Sequence, residues 1–475
     1  MLEKETIIPL STALLLPDGG GLNRANIDIF LQYDIPVLCV NVTTQKRRLI
    51  PFKILYGINN NFWQKEGSWK YYFTEEELEK LKERAATKHG AWENENHEIV
   101  YDTSGIEELE VNIGYGSEYK TYVDMPINKK VECLDNSKQR LNKLIVHKSK
   151  DAAVITEALV DTTREAALIN QTALENALRL ADDEAKKITQ TIVDSTNAMV
   201  KSSTQLMAAD IFNDELMTTL VEKSNGTIVQ HMTRVYLNGI AFLSYYNNLV
   251  STSSAIQKLR VSFAHEYREF YHSLLPHLNI NDVILERVFL GGMRAIPPHL
   301  YFKWAVGFLI HDIGKASAVE YHEGESAYDR NIVIEHVKMG YKSITNKTNY
   351  PIEASLITGY HHEYYGNSDG YGYFRAYLQK HKKANPDAKQ DYCIAYNVEP
   401  MLDYQALAYF PAKVLEIIDI YDSVTDPNRV YHKAMTPEEA LAMMREDFIV
   451  KHKKIDAILF DIFSAFIRDK EKQKG

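Results

Sequence analysis

Beyond residue 226, apolar side chains recur every three or four positions in stretches closed off by Gly, Pro or Asn, the spacing of helices with one buried face. These stretches cover 229–246, 256–274, 282–293, 301–311, 331–344, 352–360 and 406–424, with loops at Pro297-Pro298, 346–351 and 366–372. The preceding segment, 127–225, holds neither Gly nor Pro and is rich in Ala, Leu, Glu, Lys and Gln, which favour helix. Within it Ile155, Leu159, Ala166, Ile169 and Ala173, with Thr162 filling the gap, draw a narrow apolar seam. That seam fits a long helical connector, either a dimer stalk or a hairpin folded onto its neighbours. Residues 7–122 read differently: short apolar runs at 14–16, 35–42 and 50–55 are broken by Gly19-Gly20-Gly21 and Asn59-Asn60-Asn61, with a charged helical piece at 75–84. This is the pattern of a small α/β or mainly β domain. The glycine run lacks the Lys-Ser/Thr that completes a phosphate loop and reads as a plain turn. The expectation is a mainly α protein in three parts: a small regulatory-type domain (1–126), a helical connector (127–225) and an all-helical domain (226–475). No internal repeat is visible.

Composition narrows the class. With 475 residues, 45% hydrophobic and 25% charged, the chain has the balance of a globular protein able to bury a large core. A net charge of −10 disfavours a partner such as duplex nucleic acid, whose phosphates call for a basic surface. Cys39, Cys133 and Cys393 lie far apart without a CxxC pair, which argues against a disulfide framework or a thiolate zinc knot and for a cytoplasmic chain. No signal peptide and no membrane span are expected, because the start lacks a basic flank and no run of about eighteen apolar residues occurs.

Candidate chemistry concentrates in the helical C-terminal part. His311-Asp312 ends an apolar stretch and is followed by Gly314-Lys315; a second pair, His361-His362, comes fifty residues later, with His336 between, His231 upstream and Asp419 downstream. A lone histidine is usually a structural residue, but this order of imidazoles and carboxylates is the layout of a dinuclear metal site. Two divalent ions can activate a bridging hydroxide and stabilise both oxygens of an in-line displacement at phosphorus. Asp312 is the natural bridging carboxylate, and Lys315, one turn beyond His311 if the helix continues, is a candidate charge clamp for a phosphate. Donors without thiolate suit iron, manganese, zinc or similar ions.

Taken together, His231, His311-Asp312 with Gly314-Lys315, His336, His361-His362-Glu363, Asp369-Gly370-Tyr371-Gly372-Tyr373 and Asp419-Ile420-Tyr421-Asp422 resemble the HD-GYP family, over about residues 227–439. That family is a branch of the HD-domain metallohydrolases whose members typically hydrolyse cyclic di-GMP. The resemblance implies an HD-type helical domain and a metal-dependent phosphodiesterase yielding pGpG or GMP. It implies two ions, iron or manganese ahead of zinc, nickel or magnesium. One would be held by His231, His311, Asp312 and Asp419, the other by Asp312, His336, His361 and His362. Asp312 and Lys315 would act in catalysis. Tyr371, Gly372 and Tyr373 would flank the guanine, while Arg429 and Lys433, in Arg429-Val430-Tyr431-His432-Lys433, would join Lys315 at the phosphates.

The chain departs from the family pattern in three places. Tyr364, Tyr365, Gly366, Asn367 and Ser368 lengthen the usual two-residue spacing before Asp369, and Phe374 stands where a proline closes the loop. Thr227 occupies the position at which some members place a glutamate for a third metal. A long insertion between His231 and His311 brings His265, His272, His277 and His299, of which His272 rivals His231 as first ligand. A catalytically silent cyclic-dinucleotide sensor acting through signalling-protein partners, and an HD phosphohydrolase of another nucleotide, are the alternatives. A homodimer through the connector is the expected assembly.

Overall fold

The computed structural model describes residues 36–40, 47–51, 71–72, 92–93, 99–100, 121–149, 151–178, 180–207, 228–251, 253–317, 330–365, 370–373, 389–426 and 434–473. The chain divides into two compact units, Met1–Ser117 with Glu320–Val333, and Glu118–Val319 with Ile334–Gly475.

In the first unit, β1 (Pro36–Val40) runs antiparallel to both β2 (Arg47–Pro51) and β3 (Tyr71–Tyr72), giving the order β2-β1-β3. Val37 faces Ile50, and Leu38 faces Leu49 on one side and Tyr72 on the other. Valine, isoleucine and tyrosine are residues that favour a pleated surface. A separate pair joins β4 (Trp92–Glu93) to β5 (Ile99–Val100). The glycine turn at 19–21 and the charged piece at 75–84 lie outside the described residues.

In the second unit, the stretch without Gly or Pro forms α1 (Ile127–Val146), α2 (Ala152–Leu178) and α3 (Asp182–Met207), which pack on one another and on later helices of the unit. The seam residues Ile155, Leu159, Thr162, Ala166, Ile169 and Ala173 are all buried. So are the polar Thr172 and Asn170, which remain satisfied. Thr172 donates to Leu168 O, and Asn170 donates to Ala166 O and to Thr196. α2 lies against α4 (Ile228–Ser251), and α3 against α8 (Pro298–Leu309).

Between α4 and α8 come α5 (Ser253–Glu266), α6 (Arg268–Leu274) and the four-residue α7 (Leu285–Val288). The helix expected over 282–293 is confined to α7. Phe289 leaves it to bridge Ile394, and Gly291 and Gly292 take left-handed φ values of 81° and 76°, which a helix does not tolerate. α8 starts where Pro298 can occupy a first-turn position without losing a needed N–H, and it is buried from Trp304 to Leu309. The short α9 (Gly314–Ser317), α10 (Arg330–Lys347) and α11 (Ile352–Tyr360) follow.

The unit is mainly α but not all-helical as expected. The first four residues of the apolar stretch 406–424 form β7 (Ala406–Tyr409), parallel to β6 (Tyr392–Ala395), with the short α12 (Glu399–Leu402) between them. A run of four apolar residues serves a strand as well as a helix, and Pro411 sets the start of α13 (Phe410–Thr425) just beyond it. α14 (Pro437–Arg445) begins with a reciprocal capping box between Thr436 and Glu439, and α15 (Ala457–Gln473) closes the described chain.

Trp304, Tyr396, Phe410, Phe289 and Tyr246 form an aromatic cluster, with Tyr396 and Phe410 rings stacked 4.4 Å apart and Trp304 5.3 Å from Phe410. At roughly 150–250 Å² per ring, such burial is worth about 4–6 kcal/mol each as an upper bound. It anchors the middle of α8 and the start of α13, so the far ends of both helices emerge from a rigid base. Among the described residues, no helix is long and apolar enough to cross a membrane.

Candidate metal centre

Five elements each deliver part of one buried cluster. α4 carries His231; the turn after α8 carries His311 and Asp312; α10 carries His336; the end of α11 carries His361 and His362; α13 carries Asp419. All seven side chains are buried. Two triads each place one ligating atom per residue within 4.8 Å of one another: His231 with His311 and Asp419, and His336 with His361 and His362.

Asp312 lies between the triads. Its Oδ2 is 3.6 Å from both His231 Nε2 and His311 Nε2, while its Oδ1 is 3.2 Å from His336 Nε2 and 4.0 Å from His361 Nε2. One carboxylate therefore offers one oxygen to each group. Asp419 spans them too, with Oδ1 2.9 Å from His231 Nε2 and Oδ2 3.7 Å from His362 Nε2, so it reaches the side to which the sequence reading did not assign it.

The imidazoles are oriented by their second nitrogens. His311 Nδ1 donates to Phe308 O at 2.9 Å and His361 Nδ1 to Thr358 O at 2.8 Å, each a carbonyl three residues back at a helix end. A carbonyl can only accept, so in both rings Nδ1 bears the proton and the Nε2 lone pair faces the cluster. His311 Nε2, His361 Nε2 and His362 Nδ1 are buried without a hydrogen-bond partner. Orphaned ring nitrogens beside two carboxylates are what a cation's donor set requires, and the residues fit a pair of divalent ions.

Protonation follows the same lines. Burial, reinforced by neighbouring histidines, pushes His361 well below the ordinary imidazole range, and burial takes His362 down to about 3. Burial likewise lowers His311. For His231, burial is outweighed by the hydrogen bonds to Asp419 and Asp422, which lift it to about 9. Burial opposes the charge of Asp312, but Lys315, His311 and His336 hold its carboxyl well below the usual range; His231 does the same for Asp419.

Lys315 does not continue the helix of His311. α8 ends at Leu309, a turn intervenes, and α9 starts at Gly314. Its ammonium donates to Asp312 Oδ2 at 2.7 Å and so pairs with the shared carboxylate. Gly314 makes this turn possible. A Cβ there would lie 1.9 Å from His336 O and 2.6 Å from Gly340 N, so α9 and α10 meet backbone to backbone.

The loop 370–373 is tied to the same place. Tyr371 N and Gly372 N both donate to His362 O, at 3.0 and 3.1 Å, and the Tyr371 ring lies 4.4 Å from the His362 ring. A Cβ on Gly372 would fall 2.3 Å from Glu363 Oε2, and Tyr373 contacts the Tyr341 ring. Arg429, Lys433, Asp369, Phe374 and Thr227 lie outside the described residues. His272 belongs to neither triad and bonds Leu278 O; His265 and His299 are exposed, and His277 pairs with Asp391. A cavity of about 670 Å³ lined in part by Lys201, Asn247, His299 and Phe302 contains none of the candidate ligands.

The sequence reading gave no role to the residues behind the ligands. His231 Nδ1 is 2.7 Å from Asp422 Oδ2, and Arg234 clamps Asp422 and Asp426 at 2.7 and 2.6 Å. The signal was present as spacing. His231 and Arg234 share a face of α4, and Asp419, Asp422 and Asp426 recur at intervals of three and four along and just past α13.

Comparison with protein-family models, with characterised proteins and with solved structures returns no match.

Proposed function

We propose that the chain is a metal-dependent phosphodiesterase of the HD-GYP type that hydrolyses cyclic di-GMP. The observation that supports this reading best is the approach of His231 and His311 to one oxygen of Asp312 and of His336 and His361 to the other, among buried side chains of a mainly α unit. Two divalent ions held by these residues and by His362 and Asp419 would supply a nucleophilic water and charge stabilisation on both sides of an in-line displacement at phosphorus. The protein's own groups do the positioning. Backbone carbonyls fix the tautomers of His311 and His361, and Asp422 orients His231. Lys315 brings a positive charge beside the shared carboxylate, where an anionic phosphodiester would dock. Tyr371, lying against His362, offers an aromatic face to a base.

These donors specify phosphoester chemistry more strongly than they specify the base, and cyclic di-GMP comes from the family resemblance. The test is a turnover assay on protein loaded with iron or manganese, with a panel of cyclic dinucleotides and mononucleotides and calorimetry alongside. Conversion of cyclic di-GMP to pGpG or GMP is the expected result. Tight binding without product would replace catalysis by sensing, and turnover of another nucleotide alone would replace the substrate.

A further inference from the structure

Lys413 is a lysine with 1% exposure in a helix otherwise buried from Phe410 to Asp422, and the chemistry proposed above leaves it without a task. Burying an ammonium costs heavily unless every N–H is satisfied. Here all three are. Nζ donates to Glu363 O at 2.8 Å, to Glu416 Oε2 at 2.7 Å and to Lys454 O at 3.0 Å, and it lies 4.0 Å from the centroid of the Tyr365 ring.

The three acceptors belong to three parts of the unit. Glu363 directly follows the ligand pair His361-His362 in the turn that ends α11; Glu416 shares α13 with Asp419; Lys454 lies in the segment before α15. Lys454 O also accepts from Tyr365 N at 2.8 Å, so the turn 361–365 reaches that carbonyl directly through Tyr365 and indirectly through Lys413. On its other side the same turn is held by Tyr371 N and Gly372 N through His362 O. The distance this arrangement controls is the one between α11's end and α13, across which His362 Nε2 and Asp419 Oδ2 stand 3.7 Å apart.

We infer that Lys413 is a positioning residue for the second metal position: by tying the Glu363 carbonyl to α13 it sets His361 and His362 against Asp312 and Asp419. The inference rests on the reading of the cluster as a dinuclear centre. It makes the two halves unequal, because His231 and His311 are oriented by Asp422 and Phe308 O, which Lys413 does not touch. Loss of the ammonium therefore weakens the ion at His336, His361 and His362 and spares the ion at His231, His311 and Asp419.

The 475-residue chain is titrated with Mn²⁺ and followed by metal analysis and electron paramagnetic resonance. Lys413→Met alone would strand the Glu416 carboxylate, so the informative variant replaces both charges, Lys413→Met with Glu416→Leu. Wild type is expected to take two Mn²⁺ and give the multiline signal of a coupled pair. The double variant is expected to unfold cooperatively, keep one tight Mn²⁺ and bind the second roughly 10–100-fold more weakly, as when outer hydrogen bonds to ligands are lost. It then shows the six-line signal of an isolated ion. Lys413→Arg keeps the charge opposite Glu416 but cannot aim its planar fork at three separated acceptors, so it is expected to show a smaller loss at the same position and serves if the double variant fails to fold. Two Mn²⁺ bound with wild-type affinities in a folded variant overturns the role of Lys413 and leaves the metal centre standing. Fewer than two in wild type overturns the centre itself, and this inference with it.

Discussion

Gly314→Ala adds one methyl group where α9 meets α10. The new Cβ would sit 1.9 Å from His336 O and 2.6 Å from Gly340 N, whereas ordinary contact begins near 3.4 Å, a shortfall of about 1.5 Å. Both obstructing atoms are backbone, so no rotamer change relieves the clash, and α10 must withdraw. Overpacking of this kind costs ~1–3 kcal/mol, visible as a lower urea midpoint. The sharper consequence is local. His336 rides on the part of α10 that must move, and its Nε2 is 3.2 Å from Asp312 Oδ1. Metal–ligand distances tolerate only about 0.2 Å, so a retreat several times larger removes one nitrogen from the second ion. The expected outcome is a folded, destabilised protein that retains one tight Mn²⁺ and loses most affinity for the other, read by titration and metal analysis after dialysis. A Gly314→Ala protein that binds two Mn²⁺ as tightly as wild type would refute the claim that backbone contact between α9 and α10 places His336.

Asp312→Ala removes the carboxylate facing both triads and is expected to abolish uptake of both ions, together with any phosphodiesterase activity; metal analysis showing one or two ions retained would contradict its bridging place. Lys315→Ala is expected to keep both ions but slow turnover, and an emptied site would show that Lys315 supports the carboxylate rather than a phosphate. Asp422→Asn removes the anionic acceptor at His231 Nδ1, and Mn²⁺ affinity at the first position should fall roughly 10–100-fold, as for other outer-shell carboxylates; unchanged titration curves would count against it. Asp456 supplies a pH test. Burial, against hydrogen bonds from Leu459 N, Tyr271 and Tyr365, lifts its carboxyl from 3.8 to about 6. The fold thus holds a proton that the unfolded chain has released, so this group's contribution to stability falls as pH rises from about 4 to about 6, by about 3 kcal/mol in all. Asp456→Asn should remove that fall, and urea midpoints with the same slope in both proteins would show that the carboxyl is not responsible.

Elements were legible where a long period leaves no choice. The 3.6-residue repeat over 229–246, 331–344 and 352–360 marks α4, α10 and α11, because periodicity sustained over more than two turns fits no strand. It failed over 282–293 and 406–409. In the first, Gly291 and Gly292 take left-handed geometry; in the second, a four-residue apolar run becomes β7 only because Tyr392–Ala395 is there to pair with it. The partner strand is a tertiary fact, and no window of sequence contains it. Lys315 was misplaced for a related reason: continuing a helix through Ile310 is the local default, whereas the close approach of Gly314 to Gly340 selects a turn.

The kinds and order of the donor residues, five imidazoles and two carboxylates on or beside amphipathic helices, were set by sequence alone, because coordination chemistry depends on residue type and helical spacing limits which faces they share. Which oxygen faces which nitrogen was decided only when five elements met. The approach of Asp312 to His336, the reach of Asp419 to His362, and the supporting contacts of Asp422, Arg234 and Lys413 join residues from about 24 to 190 positions apart. Such contacts depend on packing between rigid helices, and packing geometry at the scale of a hydrogen bond is a property of the whole core rather than of any segment.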